Sequence, residues 1–426
     1  MRMKKSIPDI VRNTIVTFTY LIVVIYLAIS CGHKKENLSP HIIPLESAVG
    51  DYHILNLSDY ATDIRYVPIE TQESSLIGGM RQIVYENEQI IISDDINNCY
   101  LFDNNGKFIR KIGSAGRGPN EYLYIPRVYV HNNLIFLNDR SKLIIYDTNG
   151  FLIDNINLWS SDLSRSYIVR NVLPLSRDTF VMDVVTLDNE YYPKAILFES
   201  YQLNAKPIKE YPSSVKLDKV AAAFSISDEE AIMYRFKDEI RTYKYINCDT
   251  LFTIGQDTEM KSAFIFELGQ YRPTLSYLEF RDGPDGGMNF IRPANIFESI
   301  NHLFIEFSFA KYAPEPFKYT YSFPGSDPRE RTNYNVCGVF DKSSGQLTLM
   351  KQSIKGKLGL KNDVDDGPII WPHYISSNNE LVTYISAKDF LDYFNKIEEP
   401  SPQLIEISKQ IGMDDNPIAI IAKLKT

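Results

Sequence analysis

The 426-residue chain has four cysteines, Cys31, Cys99, Cys248 and Cys337, and no two stand close enough for a CxxC redox pair or a zinc knuckle. A disulfide scaffold is therefore excluded as the organising feature. If Cys31 is modified, at most one bridge can form among the other three, and three buried free thiols is the plainer reading. The six histidines, at 33, 41, 53, 131, 302 and 373, show no HxH or HExxH spacing, which removes the usual zinc sites. There is no GxSxG nucleophile elbow. No long basic run exists, and 45 Lys and Arg stand against 54 Asp and Glu, a net charge of −9. A nucleic-acid binder would need a basic face for phosphates, so that class is excluded.

What is present points to strands. Hydrophobic residues make up 44% of the chain and charged ones 23%, enough apolar material for a globular core, and 28 Tyr with 23 Phe favour sheet over helix. The central pattern is Tyr100-Leu101-Phe102-Asp103-Asn104-Asn105-Gly106, followed by Phe108, Ile109 and Ile112. Asn-Gly between apolar runs is a hairpin signal, because these residues tolerate the positive φ of a tight turn. The unit returns as Ile144-Ile145-Tyr146-Asp147-Thr148-Asn149-Gly150, with Gly150 falling 44 residues after Gly106. Upstream of each lies a second hairpin, Ile83–Asp94 and Val128–Asp139. Four strands thus repeat as a block of about 45 residues, the period of a propeller blade.

Looser blocks follow: Val172–Phe198, Ala231–Ile254, Leu303–Gly345 with Tyr319-Thr320-Tyr321 as one of its strands, and Glu380–Ile385 with Ile418–Leu424. Between the last two strands, Ala387–Ile397 and Ser401–Ile411 repeat their apolar positions every three or four residues and predict short helices. Ile64–Glu70 reads as an edge strand because Pro68 cannot donate to a ladder. It, or Ile418–Leu424, is expected to close the ring by pairing across the termini. The predicted fold class is all-β, a six-bladed propeller of four-stranded antiparallel blades.

The N-terminus reads as an address. Arg2, Lys4, Lys5 and Arg12 precede the uncharged apolar run Thr14–Ile29, and Ser30-Cys31 ends it. The pattern resembles a bacterial lipobox, which implies acylation of Cys31 and a body held at a membrane outside the cytoplasm. An uncleaved transmembrane anchor is the alternative. The predicted organisation is a signal peptide over 1–30, a lipidated cysteine and flexible tether over 31–60, and the propeller over 61–426.

Several stretches carry a further resemblance: Ile64–Thr71, Phe108–Gly113 with Gly116-Arg117-Gly118-Pro119-Asn120-Glu121-Tyr122, Cys248–Phe252, Asn362–Gly367 and Asn416-Pro417-Ile418. Over nearly all of the mature chain they resemble the six-bladed β-propeller lipoproteins related to NHL-repeat propellers. The resemblance implies the fold and an outer-membrane location, periplasmic or surface-facing. It implies no activity.

The candidate site residues each have a plainer role. Arg117, Glu121 and the glycines between them would cradle an anion, or form a blade-to-blade crossover with Arg117 and Glu121 paired. Asp363, Asp365 and Asp366 would hold a hard cation such as Ca²⁺, or form a solvated acidic turn; no other cofactor is expected. Trp371 and His373, with Tyr312, Tyr319, Tyr321 and Tyr334, offer aromatic surface for a sugar or peptide, or core packing. Carboxylate pairs such as Asp282/Asp285 or Glu306/Glu315 would suit a glycosidase but arise often by chance. Two functions remain open. One is a lipid-anchored binding module for a glycan, peptide or partner protein. The other is a lyase or hydrolase with its site at the central opening. Charged and histidine side chains from four or more blades converging on one end of the channel, with a metal or a strongly shifted carboxylate, would favour the enzyme, and a channel lined by apolar and small residues the binding module.

Overall fold

The computed structural model describes residues 39–124, 126–158, 167–176, 179–186, 193–199, 208–211, 232–243, 248–272, 289–321 and 327–426. Cys31, the apolar run before it and the Asp282/Asp285 pair lie outside the described residues.

The chain enters through short strands β1 (His41–Ile43) and β2 (Tyr52–His53), then β3 (Ala61–Pro68). Blade 1 is β4 (Met80–Glu86), β5 (Gln89–Asp94), β6 (Cys99–Asp103) and β7 (Phe108–Lys111). Blade 2 is β8 (Arg127–His131), β9 (Leu134–Asn138), β10 (Lys142–Asp147) and β11 (Leu152–Asn157). Blade 3 is β12 (Tyr167–Pro174), β13 (Thr179–Thr186), β14 (Pro193–Glu199) and β15 (Lys209–Tyr211). Blade 4 is β16 (Ile232–Phe236), β17 (Glu239–Tyr243), β18 (Thr250–Ile254) and β19 (Met260–Phe266). Blade 5 begins with β20 (Arg292–Glu298) and β21 (His302–Ser308), is interrupted by the hairpin β22 (Phe317–Tyr321) and β23 (Arg329–Asn333), and ends with β24 (Asn335–Asp341) and β25 (Leu347–Met350). A closing sheet follows, β26 (Tyr374–Ile375), β27 (Glu380–Ile385) and β28 (Ile418–Leu424), with β3 as its fourth strand.

The turns explain why these runs fold as blades. Asn87 and Glu88 in blade 1, and Asn132 and Asn133 in blade 2, have φ between 50° and 59°, so both hairpins use two consecutive left-handed residues. Asp103 accepts hydrogen bonds from the amides of Asn105 and Lys107, Asp147 from those of Asn149 and Phe151, and Asp341 from those of Ser343 and Ser344. Each aspartate thereby closes the turn its sequence repeat predicted. The middle strands, such as β5, β6, β9 and β10, are apolar without alternation because a neighbouring sheet covers each face. One apolar cluster fills each junction. Val84, Ile91 and Leu101 of blade 1 meet Val128, Ile135 and Ile144 of blade 2. Phe304 and Val339 of blade 5 meet Leu381 and Ile420 of the closing sheet, which in turn packs Val382 and Ile421 on Ile83 and Ile92 of blade 1. The sheets therefore form a closed all-β propeller.

Three expectations are corrected. Six four-stranded blades were expected; five are each cut from one continuous stretch of chain, and the ring closes, as expected, by pairing across the termini in a composite sheet, with β3 at its edge antiparallel to β28 from Ala61↔Leu424 to Pro68↔Ile418. Tyr319–Tyr321 is no blade strand: it pairs only with Arg329–Arg331 in the separate hairpin β22–β23. Residues 41–60 are no flexible tether. β1 adds in parallel to β19 of blade 4, and β2 adds in parallel to β25 of blade 5. The one-turn helix α1 (Leu45–Ala48) lies between them and a second, α2 (Leu57–Tyr60), follows β2, with Leu45 and Leu57 fully buried. This arm covers two edge strands that would otherwise present open backbone groups. The predicted helices are present as α3 (Ala387–Phe394) and α4 (Pro402–Gln410), capped by the hydroxyls of Ser386 and Ser401. Cys99, Cys248 and Cys337 are free thiols.

Candidate binding site at one end of the propeller axis

The innermost strand of every sheet is the first one, and all first strands run the same way along the axis. Each blade therefore places its crossover loop and its second-to-third-strand connection at the end where the first strand begins. We call this the entry end. Loop 112–126, connection 351–373, the β22–β23 hairpin and the segment carrying α3 and α4 all emerge there.

Arg117 and Glu121 lie in the crossover from blade 1 to blade 2. Glu121 turns back to accept from the Gly118 amide at 2.7 Å, and a Cβ on Gly116 would fall 2.0 Å from its carboxylate. The Gly116 amide donates to the Tyr122 carbonyl, and Lys142 Nζ donates to the carbonyls of Gly118 and Glu121. The amides of Gly116, Gly118, Glu121 and Tyr122 are thus bonded within the loop. Arg117 is exposed and does not pair with Glu121 among the described contacts. Tyr122 plugs the junction between the two blades. The stretch is a crossover fitted around a glutamate.

The three aspartates do not converge. Asp363 caps α2, accepting from the amide and hydroxyl of Ser58 at 2.9 and 2.6 Å. Asp365 turns inward, its Oδ1 accepting from Asn362 Nδ2, Tyr66 Oη and the Gly367 amide at 2.7, 3.2 and 3.1 Å. Burial raises its pKa, against the pull of those hydrogen bonds. Asp366 is exposed, at φ 53°. Among the described residues no group of three or more His, Cys, Asp and Glu could hold a metal ion, so the Ca²⁺ reading has no cage. Trp371 packs edge-on against Phe304 at 5.9 Å, as a core residue. Tyr271 and Tyr312 stack edge to face at 4.9 Å, again inside the packed body.

His373 is different. It immediately precedes β26 and its Nδ1 lies 2.8 Å from Thr383 Oγ1. Its surface is open to water, yet burial is the main cause of its lowered pKa, with the Trp371 backbone and Glu306 acting oppositely. Glu306, on β21, accepts from Asn295 Nδ2 at 2.9 Å and Asn335 Nδ2 at 2.5 Å. Glu315 accepts from the Gln352 amide instead, so the two glutamates form no working pair.

At the same end stand four arginines that the sequence reading missed. Arg81 and Arg170 are the extra residues of β-bulges in β4 and β12, Arg127 opens β8, and Arg140 sits in the β9–β10 turn at φ 70°. Arg170 is buried and ion-paired to the fully buried Asp183 at 2.8 Å. Burial first, then Arg127, Arg81 and Arg170, lower the pKa of Arg140, while Tyr124 acts in the other direction. The legible signal was an arginine at the start of the first strand in successive repeats. Charged or histidine side chains from blades 1, 2, 3 and 5 and the closing sheet thus lie toward the entry end in two groups, Arg140 with Arg81, Arg127 and Arg170, and His373 with Glu306.

A ring of antiparallel blades with a polar axial mouth defines a β-propeller. The chain belongs to the family described as "Domain of unknown function (DUF4934)", which matches residues 40–423. No curated protein matches it in sequence. Among solved structures it is similar to a protein of Bacteroides fragilis described as exported, with 16% identity, 91% of this chain and 100% of that chain covered, and a TM-score of 0.64. A structural-genomics protein of unknown function from Bacteroides thetaiotaomicron shares 10% identity over 84% of this chain and 76% of that one, at a TM-score of 0.40.

Proposed function

We infer that the protein is an extracytoplasmic binding module that engages its ligand at the entry end of the propeller. The observation that carries this is the presence at the entry end of two polar groups drawn from five sheets, Arg140 with Arg81, Arg127 and Arg170, and His373 with Glu306. Propellers host many functions, so the side chains and not the fold bear the argument. The closing sheet acts as the sixth blade in this reading, which fits the NHL-like resemblance. The apolar run before Cys31 and the exported relative from Bacteroides fragilis support a lipid anchor at Cys31 and an outer-membrane location. The tether then spans 31 to about 40. A glycan, a peptide or a partner protein are the ligand classes in view.

A lyase or hydrolase is the second reading, favoured by that same observation. The binding reading is preferred because Glu306, held between two asparagines, and Arg170, paired to Asp183, are tied into the scaffold. The test is to incubate the purified protein with polysaccharides and peptides, measuring binding by calorimetry and products by chromatography. Binding without turnover, weakened by His373→Ala or Arg127→Gln, is expected. Turnover would establish the enzyme, and binding indifferent to both variants would remove the entry end as the site.

A further inference from the structure

The arginine cluster goes further than the general reading of a binding face. The chain carries a net charge of −9, yet Arg81, Arg127, Arg140 and Arg170 gather on three consecutive blades at one end of the axis. First strands β4, β12 and β20 each carry a bulge, and in β4 and β12 the extra residue is an arginine, where β20 has Ala294. Arg81 falls where the β4–β5 register shifts between Met80 and Gln82, and Arg170 where the β12–β13 register shifts between Val169 and Asn171. A bulge takes its extra residue out of the ladder and re-aims the side chain, and bulges of this kind recur beside functional sites. Arg140 holds a left-handed backbone conformation at φ 70°, which non-glycine residues adopt uncommonly and which clusters at binding sites. The neighbouring first strands are fixed to one another: Gln82 of β4 donates to the Val128 carbonyl and accepts from the Val128 amide of β8, both at 2.9 Å. Tyr129 of β8 donates to Asn171 Oδ1 beside Arg170 at 2.8 Å. Blades 1, 2 and 3 are thus pinned at the level of the arginines.

Arg127, Arg81 and Arg170 all act against the charge of Arg140. Asp183 answers Arg170. Arg127, Arg140 and Arg170 also keep interactions within the protein, so the cluster is held in position. Arg81 and Arg140 remain exposed at its mouth, next to Tyr124, whose surface is 54% open.

Resting on the binding-module reading, we propose that the cluster is an oxyanion subsite, which binds carboxylate, sulfate or phosphate groups of the ligand. The planar guanidinium fork offers paired N–H donors that match two oxygens of such a group. Exposed arginines on adjacent blades can share one multivalent anion, whereas Arg170 serves to hold the floor.

The experiment uses citrate, inorganic sulfate and inorganic phosphate as probes at low ionic strength, with chloride at equal ionic strength as control. Binding is read by calorimetry and by thermal unfolding. At least one probe is expected to bind and to raise the melting temperature above the chloride control, with affinity falling as salt is added. Arg81→Gln/Arg140→Gln is expected to weaken that binding at least tenfold while leaving the unliganded melting temperature unchanged or higher, because like charges have been removed. If the double variant does not fold, Arg81→Gln alone is read in its place. Citrate binding without sulfate or phosphate binding assigns the subsite to carboxylates, and the converse assigns it to tetrahedral anions. Failure of all three probes to exceed chloride, or undiminished binding by the variant, overturns the subsite. A macromolecular ligand that binds wild type and variant alike would overturn the subsite and leave the binding module standing.

Discussion

Glu298 offers the sharpest test of how two blades are joined. Its carboxylate, 1% exposed, ends β20 in blade 5 and faces blade 4. It accepts from Arg241 Nε at 2.9 Å, Tyr234 Oη at 2.9 Å and Lys342 Nζ at 2.8 Å. Arg241 is 8% exposed and Lys342 13%, and both cations also stand over the ring of Phe236. Glu298→Gln preserves the shape and removes the charge. Arg241 then keeps only Glu239, which is 45% exposed, as a carboxylate partner, and Lys342 keeps none among the described contacts. Removing one member of a buried ion pair costs about 3–5 kcal/mol, because the other charge stays desolvated. At roughly 2.1 cal/mol/K per residue over the body His41–Thr426, that is a fall of about 4–6 °C in melting temperature. Urea titration and calorimetry would measure it. Burial already holds Lys342 below the usual lysine range despite Glu298. A base depressed in the folded state binds fewer protons there than when unfolded, so the loss in Glu298→Gln should shrink as pH rises toward the lysine range. The companion variant Arg241→Met/Glu298→Leu/Lys342→Met should recover most of the loss, since no charge is left buried. A loss below about 1 kcal/mol for Glu298→Gln, constant with pH, would refute the reasoning, because desolvated partners of an exposed-type pair would not behave so.

Other consequences follow from the same geometry. Gly106 has φ 79° and an added Cβ would lie 2.2 Å from the Pro68 carbonyl, whereas Gly345 has φ 71° and open space; Gly106→Ala should therefore lower the urea midpoint clearly more than Gly345→Ala, whose cost is the backbone alone, about 1 kcal/mol. Burial pushes the Asp365 carboxyl above the usual aspartate range. The stability such a raised group contributes is complete below its unfolded pKa of about 4 and is lost as pH rises through the folded value. Asp365→Asn should then gain on wild type as pH climbs from 4 toward 7, and a wild type that gains instead would contradict the burial. Removal of residues up to Asn56 uncovers β19 and β25; light scattering should show aggregation and unfolding should come at lower temperature, and a monomeric variant of unchanged melting temperature would show the arm to be dispensable.

The sequence determined what is local. Asp103-to-Gly106, Asp147-to-Gly150 and Asp341-to-Gly345 fixed their turns because an aspartate can bond amides two to four residues on, and the apolar runs between them fixed the blades. The capped amphipathic pattern fixed α3 and α4. Pro68 marked β3 as an edge. The tertiary structure decided the rest. β1 and β2 have three and two residues, too few for any periodicity to register, so the arm was legible only once its partners were in place. Tyr319-Thr320-Tyr321 alternates like a blade strand, and only the pairing with Arg329–Arg331 set it apart. The axial mouth joins residues from Arg81 to Thr383, and no local pattern links them, because side chains converge there through ring closure and not through chain neighbours. Turn and strand preferences act over a few residues; which first strands face one another depends on burying both faces of every sheet at once, and that condition is met only by the whole ring.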